Sequence, residues 1–111
     1  MPEQATETPV LDLIGKMTAD SLEASSLDPE TLMLVRIAAL IAVDAPPASY
    51  MLNIAAAKEI GIDEDQIRGV FAAIVPIVGT ARVTSAMGKI VRALGLAIEL
   101  AEIEEEGAAE A

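Results

Sequence analysis

Apolar side chains recur along the chain at helical spacing in five blocks separated by proline, glycine and helix-capping residues. Val10, Leu11, Leu13, Ile14, Met17 and Leu22 predict a first amphipathic helix over about residues 9–24. Ser25-Ser26-Leu27-Asp28-Pro29 ends it and starts the next, with Asp28 as N-cap and Pro29 at the first helical position, where a missing N–H is harmless. Residues 29–43 are apolar on nearly every side and interrupted by Arg36, the pattern of a helix buried on several faces. Ala45-Pro46-Pro47 stops it, because the residue before a proline is driven out of the helical region. A third helix is expected from Pro47 to Glu59, closed by Gly61. Asp63 caps a fourth, with Ile67, Val70, Phe71, Ile74 and Val78 on one face and Pro76 tightening or kinking its last turn. Gly79-Thr80 leads into a last helix over about 81–105, with a stripe of Val83, Met87, Ile90, Leu94, Ile98 and Ala101. Gly88 and Gly95, seven residues apart, would let another helix approach closely.

The residue inventory narrows the chemistry. The 111 residues contain no Cys, His or Trp, so zinc and haem sites, thiol peroxidases, Ser-His triads and disulfide scaffolds cannot be built from this chain. Neither a metal nor a cofactor is expected. Asp63-Glu64-Asp65 reads as a favourably charged helix start, and Met17, Met33, Met51 and Met87 as flexible apolar fillers. The formal charge of −11, with seven scattered basic residues, opposes binding to nucleic acid. Every apolar run is shorter than the roughly 18 residues a membrane span needs and is cut by Arg36, Asp44, Lys58, Arg68 or Arg82. No signal-peptide pattern is present at Met1 to Pro9, so the cytoplasm is the expected location. Two uncharged stretches, 45–57 and 69–81, exceed what a small domain can hide together with the second helix and the last stripe, which asks for burial by other subunits.

Three segments in order carry a resemblance: residues 27–42 (LDPETLMLVRIAALIA), 53–67 (NIAAAKEIGIDEDQI) and 79–90 (GTARVTSAMGKI). Together they resemble the carboxymuconolactone decarboxylase family, which includes the alkylhydroperoxidase D-like proteins. The resemblance spans about residues 27–94. It implies an all-α fold of about five helices, a helical bundle that is an obligate oligomer, with the first helix outside the bundle or across to a neighbour. A homohexamer is the first expectation and a trimer the second. The corresponding division is a flexible N-terminus at 1–8, one helical domain at 9–101 and an acidic tail at 102–111.

In redox-active members a Glu on the second helix, a Cys-x-x-Cys at the start of the third and a His four residues further form a proton relay and thiolate pair. Aligned on Gly61, the matching positions here are Met33 or Leu34 for the Glu, Pro46 and Ser49 for the two Cys, and Asn53 for the His. These vestigial positions hold no thiolate, the nucleophile of that chemistry, so no catalytic residue is assigned. The decarboxylase branch implies binding of a lactone carboxylate, for which Arg36 and Arg82 are the candidate cations. Arg36 could instead pair with Asp44 or with a carboxylate of a neighbouring subunit. Ser49, Tyr50 and Asn53 could line the cleft, or satisfy backbone groups in a helical core. The leading expectation is a redox-inactive oligomeric scaffold or binding protein whose cleft, near Arg36, Ser49, Tyr50, Asn53 and Arg82, holds a small apolar or weakly acidic ligand. The alternatives are a non-redox enzyme acting on a small carboxylate and an interaction protein whose acidic tail recruits a basic partner.

Overall fold

In a computed structural model, which describes residues 7–94, the chain is all-α. Its helices are α1 (Pro9–Ala24), α2 (Pro29–Ala42), α3 (Pro47–Glu59), α4 (Glu64–Val78) and α5, over residues 80–94. The extension of α5 to 105, with Gly95, Ile98 and Ala101, and the acidic tail lie outside the described residues, as does most of the N-terminal stretch 1–8.

Local chemistry sets each boundary. The Asp28 carboxylate accepts from the Thr31 N–H and hydroxyl, both at 2.9 Å, at the start of α2. Those bonds hold its carboxyl below the ordinary value. Asp63 and Gln66 form a reciprocal capping box at the start of α4: the Gln66 N–H donates to Asp63 Oδ1, and the Asp63 N–H to Gln66 Oε1. At the end of α3, Gly61 adopts φ +90°, and the Ile62 and Gly61 N–H groups return to the Ala57 and Lys58 carbonyls. The end of α2 repeats this closure with a residue less suited to it. Asp44 sits at φ +55°, while the Ala45 and Asp44 N–H groups reach the Leu40 and Ile41 carbonyls. In both cases the residue after the left-handed one, Ala45 or Ile62, is buried.

The core gathers around α2: Leu32, Met33, Ile37 and Ile41 meet Tyr50, Ile54 and Ala57 of α3, Ile62, and Val83, Ala86 and Ala93 of α5. Ile67, Val70, Phe71 and Ile74 of α4 pack against this cluster half-buried. One expectation needs correction. The buried edge of α5 runs Val83, Ala86, Ala93 with Ile90 half-buried, so Met87 and Leu94 of the expected stripe remain exposed. The small side of Ala86 and Ala93 faces the body and lets α5 approach. Gly88 instead faces open space, with no atom near the position a Cβ would take. Helix α1 buries none of its residues in this chain.

Candidate functional site

The structure places the residues that the resemblance marked in differing surroundings. Met33 is in the core, Leu34 is half-buried against it, and Pro46 is exposed at the start of α3. Ser49 and Asn53 lie one turn apart on α3, where the Asn53 side-chain amide donates to the Ser49 carbonyl at 2.8 Å. That amide satisfies its own helix. Tyr50 is fully buried, and its hydroxyl finds no hydrogen-bond partner among the described residues. Burial, and then the nearby Asp44 carboxylate, push its phenol above the ordinary value.

Arg36 does not pair with Asp44. Its guanidinium donates to the Thr18 carbonyl (3.3 Å) and to Ser21 Oγ (3.1 Å), tying the C-terminal half of α1 to α2. Asp44 is instead held from α5, by Lys89 Nζ at 2.8 Å and by the Ser85 hydroxyl at 2.9 Å. Lys89 also reaches the Asp44 carbonyl at 3.2 Å, and Arg82 donates to the Ala42 carbonyl. The bonds from Lys89 and Ser85 hold the Asp44 carboxyl below its ordinary value. This polar knot locks the α2–α3 turn onto α5. Its partners are 41 and 45 residues apart, and no sequence pattern links them.

A concave surface lies elsewhere. A trough of about 310 Å³ runs between α3, α4 and α5, walled by Ile54, Ile67, Phe71, Met87, Ile90, Val91 and Leu94. Lys58, Glu64 and Arg68 supply its polar groups. A smaller hollow of about 130 Å³ shares Ile54, Lys58 and Leu94 with it. Arg68 makes long exposed contacts of 3.7 Å to Glu64 and to Asp65. Lys58, in the last turn of α3, has neither an ion pair nor a hydrogen bond from its ammonium among the described residues. Both the trough and Lys58 escaped the sequence reading. The available signal was a cation in the last turn of α3, one turn beyond Ile54.

Among the described residues no group of His, Cys, Asp and Glu is arranged to hold a metal, and no helix is long and apolar enough to cross a membrane. What the arrangement offers is an apolar wall beside the Lys58 ammonium, which is unpaired among the described residues.

No curated protein and no solved structure matches the chain. The model of the carboxymuconolactone decarboxylase family matches residues 9–91, well over half of the 111 and including α1. With its all-α order of helices and its cysteine-free sequence, the chain belongs to the carboxymuconolactone decarboxylase family and lacks the thiols of that family's redox-active members.

Proposed function

We propose that this chain is a redox-inactive, oligomeric binding protein of its family that holds a small apolar or weakly acidic molecule in the α3–α4–α5 trough. The observation that carries the reading is the ammonium of Lys58, unpaired among the described residues, beside an apolar wall of Ile54, Phe71, Met87 and Leu94. Such a site accepts an aliphatic body by burial and a carboxylate head by charge, and the chain has no thiol to act on either. The expected assembly is a homohexamer, with a trimer as the second choice. Arg36 and Arg82, the cations considered for a lactone carboxylate, bind oxygen atoms of the chain itself and do not line the trough.

Calorimetric titration with octanoate and with octanol tests this reading. Octanoate should bind more tightly, and Lys58→Met should remove that preference, a change of up to about fivefold for an exposed charge pair. A peroxide-consumption assay with a lipoyl or thioredoxin-type reductant should show no turnover above buffer. Absence of octanoate binding, or clear peroxide turnover, would overturn the proposal.

A further inference from the structure

Two-electron oxidants have few targets in this protein. With no Cys, His or Trp, the readily oxidised side chains are five methionines and one tyrosine. Burial sorts them. Tyr50 is fully enclosed and Met33 is 6% exposed, whereas Met17 and Met87 are 60 and 54% exposed. Met51 is half-buried at the smaller hollow, and Met1 lies outside the described residues. Of the two exposed thioethers, Met87 walls the trough, while Met17 stands on α1 and is not among the residues that line it.

We propose that Met87 is an oxidation site that controls the trough: conversion of its thioether to the sulfoxide by hydrogen peroxide expels the apolar ligand. The inference rests on the trough being the ligand site and adds its regulation. In the step, a sulfur lone pair attacks one oxygen of the peroxide, an S–O bond forms as the O–O bond breaks, and the departing hydroxide takes the proton of the transferred hydroxyl and leaves as water. Sulfur loses two electrons and the peroxide gains them. One equivalent is consumed and the reaction stops, because the sulfoxide returns to the thioether through dedicated reductases. This is a modification of the wall, consistent with the absence of peroxide turnover expected above.

The position makes the modification consequential. Met87 shares one wall with Ile90, Val91 and Leu94, and the trough with Ile54, Ile67 and Phe71. An oxidised sulfur carries a strong acceptor oxygen in place of a polarizable apolar surface. Pressed against an aliphatic ligand that oxygen goes without a hydrogen bond, which costs its desolvation. Turned to the cations of the trough, Lys58 and Arg68, it competes with a ligand carboxylate. Either outcome weakens binding. The fold does not depend on the thioether, since α5 is held by buried Val83, Ala86 and Ala93 and by the Ser85 and Lys89 bonds to Asp44.

Peptide mapping after brief treatment of the native protein with hydrogen peroxide should find oxygen added at Met87 and Met17, with Met33 unmodified. The oxidised protein should keep its helical circular dichroism and bind octanoate and octanol at least severalfold more weakly, and methionine sulfoxide reductases should restore the affinity. Met87→Leu keeps an apolar wall of similar volume, and its affinity, whatever its starting value, should not change with peroxide. Met17→Leu should lose affinity on oxidation as the native chain does. Octanoate in excess should slow oxidation of Met87 and leave that of Met17 unchanged. Affinity unaffected by complete oxidation of Met87, an equal loss in oxidised Met87→Leu, or a Met87 that stays reduced while Met17 is oxidised would overturn the inference and leave the proposed function standing. Absence of octanoate binding before oxidation would overturn both.

Discussion

Asp44 shows how one residue can hold a conformation that its own backbone disfavours. A left-handed φ of +55° is unusual outside glycine, and aspartate is among the residues that tolerate it. Its side chain then lies where Ser85 and Lys89 can bind it. Asp44→Gly should relax the backbone but release α5, and Asp44→Asn should keep the turn while losing the charged bond. Thermal melts should place both variants below the native protein. The pH dependence supplies a second readout, common to both. Because the folded Asp44 carboxyl lies below the ordinary 3.8, its contribution is present above that value and is lost as pH falls through the lower folded value. Asp44→Asn should therefore flatten the acid limb of stability. Tyr50 has the opposite sense. Its phenol is raised above 10.0, so the contribution is complete below that value and is lost as pH rises through the folded value. As the sole tyrosine, it reports its own ionisation by ultraviolet difference absorbance, which should appear late and together with unfolding. Tyr50→Phe removes a buried hydroxyl that lacks a partner and should raise stability by about 1 kcal/mol in urea melts.

Among the elements, the helix starts show the closest agreement between local chemistry and structure. Asp28-Pro29 and Asp63 through Gln66 carry cap, first-turn proline and capping box within four residues, so their geometry is legible from the chain alone. Asp63→Ala should cost about 1 kcal/mol, measured by denaturant unfolding. The buried edges were less legible. On α5, Val83–Met87–Ile90–Leu94 and Val83–Ala86–Ile90–Ala93 are both acceptable helical stripes, and the larger side chains favour the first. Close approach to α2 and α3 selects the second, since alanine at 86 and 93 fits where a bulkier residue would hold the helices apart. The displaced Met87 and Leu94 become walls of the trough. Ile37 and Ile41, fully buried where α2 is enclosed by its neighbours, are the positions most sensitive to truncation. Ile37→Ala should destabilise by roughly 2–5 kcal/mol in the same experiment.

Over the whole molecule, the missing residue types constrain behaviour as strongly as those present. With no histidine and no cysteine, no side chain with an ordinary titration range lies between about pH 6 and about pH 8. Thermal midpoints and sedimentation should therefore stay flat across that interval; a pronounced transition there would contradict this reading of the charges. Helix type, order, caps and the exclusion of thiol chemistry follow from sequence, because each depends on residues within a turn or two or on a residue type being absent altogether. Tertiary structure alone decided that Arg36 serves α1, that Lys89 and Ser85 hold Asp44, that Tyr50 is buried beside that knot, and that Lys58 stands beside the apolar trough. Those outcomes depend on helices crossing at particular angles and on contacts spanning tens of residues, where periodicity offers several equivalent faces and only packing chooses among them.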